Sequence, residues 1–163
     1  MPNMTVLAPA DEIEMRLAFD YAFALNAPVA VRYPKGNCPS DSFAGIEHPP
    51  LNTENALVQI KSGSKEAYVV IGAFCDTALR AAEQNGAAVL VLRMLKPIDD
   101  VIVHKLSEYN HITFIEDGCY AGSASEYLSS RLTNVETECI CLPDRFIEHG
   151  TRGEILREFG LLR

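Results

Sequence analysis

The sequence predicts a three-layer α/β fold on a mostly parallel sheet with one antiparallel strand. Three observations predict it. From residue 56 onward, short apolar runs alternate with segments of helical period, the pattern of a parallel sheet with helices on both faces. The run Ala88-Val89-Leu90-Val91-Leu92 is continuously apolar, as in a strand buried on both sides. The runs 56–60 and 67–71 are separated by Lys61-Ser62-Gly63-Ser64-Lys65-Glu66, a gap that suits a hairpin and hence one antiparallel strand.

Each element has a local cause. Thr5-Val6-Leu7 is a short apolar run. Asp11 and Glu14 have the spacing of an N-cap and its capping-box partner, so a helix is expected over 12–25. Ile13, Leu17, Tyr21 and Leu25 make one apolar stripe on it, and Met15, Phe19 and Phe23 a second. This helix should therefore be covered on more than one side. Asn26-Ala27-Pro28 ends it, and a strand follows over 29–32, completing a parallel strand–helix–strand unit. The stretch 34–55 is rich in Pro, Gly, Ser, Asp and Asn and reads as a linker. After the hairpin come a helix over 76–84 ended by Asn85-Gly86, the strand 88–92, and a helix over 100–109 started by Pro97-Ile98-Asp99. Asp76 and Thr77 read as the capping residues of the first of these. A strand over 112–115, a helix over 123–132 and a strand over 138–142 follow. Thr151 and Glu154 then cap a last helix.

Composition narrows the class. The chain has 163 residues, 48% hydrophobic and 22% charged, enough for one domain plus a fragment. A net charge of -8 argues against a broad nucleic-acid or anionic-membrane surface. No run reaches transmembrane length, and MPNMTVLAPADE lacks the basic start and apolar core of a signal peptide, so the expected location is cytoplasmic. The five cysteines, Cys38, Cys75, Cys119, Cys139 and Cys141, fit no zinc spacing and read as reduced thiols.

Arg32 is the main candidate for chemistry. It ends a strand where open α/β sheets bind ligands, and a guanidinium there suits a phosphate or carboxylate. It equally suits an ion pair that holds a loop. Glu116 and Asp117 end another strand, followed by Gly118, Gly122 and small residues. Glu116 is a candidate metal ligand or interface acid, or simply a packing acid beside a glycine turn. No G-x-G-x-x-G, G-x-x-x-x-G-K or G-x-S-x-G motif is present, which leaves nucleotide-loop and hydrolase readings unsupported. Of the histidines, His48 lies in the linker and His104 and His111 flank a helix–strand corner. His149, just before Thr151, could bind a phosphate or close the turn. No self-contained catalytic set emerges.

Several motifs together resemble a known family. Pro2-Asn3-Met4, Ala8-Pro9-Ala10-Asp11-Glu12 and Val31-Arg32-Tyr33-Pro34-Lys35-Gly36 resemble the end of the pyrimidine-binding domain of transketolase-like thiamine enzymes. RMLKPID (93–99), LPDRFIEHG (142–150) and Phe159-Gly160-Leu161 resemble the C-terminal domain of the 1-deoxy-D-xylulose-5-phosphate synthase family. The resemblance covers essentially the whole chain. It implies a Rossmann-like C-terminal domain over 55–163, a linker over 37–54, and a β-α-β remnant of the pyrimidine-binding domain over 1–36. It also implies condensation of pyruvate with glyceraldehyde 3-phosphate in isoprenoid precursor synthesis, with thiamine diphosphate and magnesium as cofactors of the complete enzyme. Arg32 matches the family arginine that holds the substrate phosphate; Tyr33 and Lys35 match the motif without an assigned role. The Gly-Asp-Gly motif with its distant Asn, the acid that activates the thiamine ring and the family's catalytic histidines have no counterparts here. The chain is therefore expected to be inactive alone, with no catalytic, cofactor or metal residues of its own. Its expected partners are the missing N-terminal part or a partner subunit, and a second copy in a homodimer. Alternatives are a C-terminal subunit of a split transketolase, a two-oxoacid dehydrogenase beta-like protein, or a stand-alone α/β binding module.

Overall fold

The structure, a computed structural model, describes residues 2–34, 36–43 and 45–161. Lys35 of the RYPKG motif lies outside the described residues. The elements in chain order are β1 (Thr5–Leu7), α1 (Glu12–Ala24), β2 (Val29–Val31), β3 (Leu57–Lys61), β4 (Glu66–Ile71), α2 (Cys75–Asn85), β5 (Ala88–Leu92), β6 (Met94–Lys96), α3 (Asp100–Leu106), β7 (His111–Cys119), α4 (Ala124–Arg131), β8 (Glu136–Leu142) and α5 (Arg152–Glu158).

The main sheet has the order β3-β5-β4-β7-β8. The pairs β5·β4, β4·β7 and β7·β8 are parallel, and β3 is antiparallel to β5. Side-chain alternation along these strands separates two cores. Val69, Ile71, Leu90, Leu92, Ile112 and Phe114 face one side, under Ile102 and Leu106 of α3 and Leu128 of α4. Val70, Val89, Val91 and Ile115 face the other, under Ala78 and Ala82 of α2 and Leu156 of α5. Three layers result, as the period-2 and period-3.6 patterns require.

The expected hairpin does not form. β3 runs opposite to β4 in direction, but β5 lies between them and takes β3 as its partner. The cause is burial. All five residues of β5 are buried, so it needs neighbours on both edges, whereas β3 is only half covered and suits the outside. The 61–66 connection must then cross the end of β5, spanning two inter-strand spacings of roughly 4.8 Å each. Gly63 makes this possible. A Cβ on it would lie 2.2 Å from the carbonyl carbon of Ala87, and Ser64 N–H donates to Gly86 O at 2.9 Å.

A second sheet, β2-β1-β6, is the other departure. β1 pairs parallel with β2, as expected, and antiparallel with β6, a strand in RMLKPID that apolar patterning alone does not reveal. The N-terminal unit thus shares a sheet with residues beyond β5, and Leu7 and Ala18 join the core with Leu92 and Met94. Two local expectations need correction. α2 starts from Phe74 with no side-chain cap, and Asp76 sits in its first turn, where it complements the helix dipole instead. α3 ends at Leu106, and Ser107 to Asn110 form a turn. The caps of α1, α3, α4 and α5 are made by Asp11, Asp99, Ser123 and Thr151.

Helix α1 is covered on one side only. Leu17 and Tyr21 pack on the core, while Phe19 and Phe23 stack on each other at 6.3 Å on the outer face, Phe23 being 86% exposed. Of the second apolar stripe, Met15 is half-buried, while Phe19 and Phe23 have no cover within the described residues beyond each other.

Replacing Gly63 with alanine is expected to destabilise the fold by about 1–3 kcal/mol through overpacking against the Ala87–Ala88 backbone. Urea unfolding of the variant checks this. An unchanged midpoint and slope would mean that the 61–66 crossing is looser than described.

Candidate functional site

The C-terminal ends of β2, β4 and β7 converge on a cleft of about 770 Å³. Its walls include Arg32 and Tyr33 after β2, Gly72 after β4, Asp117 on β7, and Gly150, Thr151 and Arg152 at the start of α5. The placement follows from the topology, because ligands of open α/β sheets sit beyond the carboxyl ends of the strands. Gly72 has φ +86°, a left-handed turn that releases β4 at the rim.

Arg32 and Glu116, singled out separately in sequence, meet here. Arg32 Nη1 donates to Glu116 Oε1 at 2.8 Å. Glu116 is buried at the wall, and its other oxygen accepts from the Ser125 hydroxyl at 2.7 Å and the Ser125 backbone N–H at 3.2 Å. Both oxygens accept hydrogen bonds and one is paired with a guanidinium, so Glu116 positions Arg32; among the described residues it joins no cluster of metal-ligating side chains. Arg32 Nη2 lies 3.6 Å from Asp117 Oδ1, beyond good hydrogen-bond length, and the side chain is 38% exposed. One edge of the guanidinium is anchored and the other faces the cleft.

Sequence reasoning missed Arg152. Its Nη2 lies 3.8 Å from Asp117 Oδ2 and is buried without a hydrogen-bond partner among the described residues, and its guanidinium lies over the Phe74 ring at 5.5 Å. Asp117 therefore stands between two guanidinium groups and closes a hydrogen bond with neither. A signal was present. An arginine in the first turn of a helix opposes the helix dipole, so its placement there needs another cause. His149 is exposed beside Gly150, and the turn before α5 is closed by Thr151 and Glu154, which form a full capping box. The Thr151 hydroxyl and backbone N–H hold the Glu154 carboxyl below the usual carboxylate range.

The cysteines are all free. Burial, with Asp11 and Asp76 nearby, raises the Cys75 thiol above its ordinary value. Burial, with Cys141 adding to it, pushes Cys139 up to about 12. These are protonated core thiols at neutral pH, poor nucleophiles and poor ligands.

An α/β domain with an anion-suited cleft at the strand ends is the class these features define. Residues 56–162 match the family described as transketolase, C-terminal domain, and the chain belongs to that family. Two 1-deoxy-D-xylulose-5-phosphate synthases are similar. That of Thioalkalivibrio sulfidiphilus is 36% identical over 167 residues, and that of Leptothrix cholodnii 36% over 170. The alignments cover 99% of this chain but only 26% and 27% of those proteins, so the chain spans about a quarter of their length. Among solved structures, a split-gene transketolase, described as an inactive β4 tetramer, superposes with a TM-score of 0.80 at 23% identity, over 99% of this chain and 55% of the other. A transketolase from Pichia stipitis, the H261F mutant, gives 0.71 at 20% identity, over 99% and 24%.

Two outcomes test the site. Glu116→Gln keeps the shape but removes the charge opposite Arg32 and sets an amide NH2 against a donor, Arg32 or the Ser125 N–H; with Arg32 partly solvated, a loss of about 1–2 kcal/mol is expected in urea unfolding. No loss would leave Arg32 without its anchor. In thiol titration of the native protein, exposed Cys38 and Cys119 should react first, and Cys75 only on unfolding. Early labelling of Cys75 would contradict its burial.

Proposed function

We propose that this chain is the C-terminal portion of a thiamine-dependent synthase that condenses pyruvate with glyceraldehyde 3-phosphate to 1-deoxy-D-xylulose 5-phosphate. In this reading residues 1–36 are the end of the pyrimidine-binding domain, 37–54 the linker and 55–163 the C-terminal domain. The chain supplies a substrate-phosphate arginine and an assembly interface in the cytoplasm, and turns over no substrate alone. The observation that carries the reading is the geometry of Arg32. Glu116 fixes one edge of its guanidinium, and the other edge opens into a cleft of ligand size. A phosphate there would meet Arg32 and Arg152. The relatives at 36% identity support the choice of reaction.

The residues present do not fit thiamine diphosphate with magnesium. The sequence has no Gly-Asp-Gly motif, and the cleft acid Asp117 faces two arginines. In this reading that group is held by the part of the enzyme outside this sequence. The role left to this chain is binding: Arg32 orients the phosphate end of the aldehyde, and Glu116 with Ser125 keeps Arg32 in place. The exposed Phe19–Phe23 face of α1 is the proposed contact with the remainder of the enzyme or with a second copy in a homodimer.

A second reading is the C-terminal subunit of a split transketolase, favoured by the superposition on a split-gene chain of which this one covers 55%. Mixing this chain with the N-terminal remainder, thiamine diphosphate and magnesium, and measuring carbon dioxide released from pyruvate plus glyceraldehyde 3-phosphate, separates the two. Synthase activity is expected only in the mixture. Arg32→Ala should raise KM for glyceraldehyde 3-phosphate about tenfold or more, with little effect on the pyruvate dependence. Ketol transfer between sugar phosphates without pyruvate decarboxylation would favour the split transketolase. An unchanged KM would remove Arg32 from phosphate binding.

A further inference from the structure

The charge cluster around the N-cap of α1 lies outside the cleft; none of its members lines the cleft. Asp11, Asp41 and His48 each offer one ligand atom, and these atoms lie within 4.8 Å of one another. We infer that they bind a divalent transition cation of the zinc type, which ties Asp41 and His48 to the start of α1.

Three observations carry this. First, His48 is 8% exposed, and its Nε2 is buried with no hydrogen-bond partner among the described residues, although it points at two carboxylates. Its separations are 3.7 Å to Asp11 Oδ2 and 3.5 Å to Asp41 Oδ1. Both exceed the usual N–H···O range of about 2.7–3.2 Å. They fit instead the edge of a tetrahedral site, since ligands about 2.0–2.2 Å from a zinc ion sit roughly 3.4 Å apart. Second, the ligand atoms are already oriented. His48 Nδ1 lies 2.9 Å from Glu14 Oε1, the carboxylate–histidine arrangement that fixes the ring and leaves Nε2 free for a metal. Asp11 Oδ2 accepts from Ser42 N–H at 2.7 Å, and Asp41 Oδ1 from Phe43 N–H at 2.9 Å. The Phe43 ring stacks on the imidazole at 4.0 Å and 11° and closes the inner side. Third, the charge matches. Glu14 is neutralised by Arg93, so a neutral His48 with Asp11 and Asp41 leaves two negative charges facing one point.

One imidazole and two carboxylates suit zinc or manganese better than calcium or magnesium. Asp41 is 44% exposed, which gives an entry path and an open fourth position for water. Binding would join a residue before α1 to two residues of the loop, and so stabilise the fold by mass action.

The chain, stripped with a chelator, is titrated with Zn2+ by calorimetry and thermal melting, and with Co2+ by absorption. One equivalent of Zn2+ is expected, with a rise in Tm and a Co2+ spectrum free of a thiolate charge-transfer band. Asp41→Asn should weaken Zn2+ binding about tenfold or more without lowering the metal-free Tm, because the Asn oxygen still accepts from Phe43 N–H. His48→Gln should abolish binding. No zinc-dependent rise in Tm, equal binding by Asp41→Asn, or a thiolate band, which would assign the metal to cysteines, each overturns the inference.

Discussion

The ion pair between Glu14 and Arg93 is the constraint on which the rest of the arrangement depends. Both side chains are buried, and an unpaired charge there would be untenable. Arg93 Nε donates to Glu14 Oε2, Nη1 to Asn55 O at 3.2 Å and Nη2 to Pro49 O at 2.9 Å. A lysine lacks this fork and could not reach three acceptors in these directions at once. The backbone of the same residue is also engaged, since Ala8 N–H donates to Arg93 O and Arg93 N–H to Ala56 O, each at 2.8 Å. One residue therefore joins the chain after β1, the first turn of α1, the 49–55 segment and the end of β5. Once these are joined, Met94–Lys96 has the edge of β1 beside it and becomes β6.

That junction places the cleft. Fixing β1 against β6 fixes β2, through the β1·β2 register, and the end of β2 carries Arg32 to the rim. Arg32 N–H donates to Leu7 O at 2.8 Å, so the strand pairing persists up to the arginine itself. From the other direction, β7 continues as far as Cys119 and brings Glu116 and Asp117 to the same height. The Arg32–Glu116 bond thus joins two sheets whose relative position Arg93 has set. Gly118 fits this geometry closely, because a Cβ there would lie 3.4 Å from Arg32 Nη2 and 3.8 Å from Glu116 Oε1.

What the sequence revealed divides along the range of the interactions. The caps at Asp11 and Thr151, the buried strand 88–92 and the parallel alternation after residue 60 rest on neighbours within a few positions, and each is present. The resemblance carried by RYPKG and LPDRFIEHG led to the right family, because such motifs compress long-range structure into short strings. Failures came where the cause lay far along the chain. β3 has an ordinary hairpin spacing to β4, and only the burial of β5 decides otherwise. Arg93 follows a run of buried aliphatics, yet nothing near it announces that its partner is Glu14, 79 residues earlier. The pairing of Arg32 with Glu116, 84 residues on, is equally silent, although each residue stands out alone at a strand end. Arg152 was the exception, a missed residue with a local signal in its clash with the dipole of α5.

The same junction explains why α1 exposes aromatic residues. Glu14 and Ala18 are buried, and Leu17 and Tyr21 pack on the core, so that side of the helix is committed to the junction. Phe19 and Phe23 project elsewhere and cannot be turned inward without pulling Glu14 off Arg93. A rotation that buried Phe23 would leave a buried guanidinium unpaired, at a cost of about 3–5 kcal/mol, more than the roughly 1.5–3 kcal/mol gained from covering one phenylalanine. The exposed face is therefore imposed by the buried ion pair and is not relieved among the described residues. One side of the helix is locked by the junction, and Phe19 and Phe23 on the other side remain at the surface of the described residues.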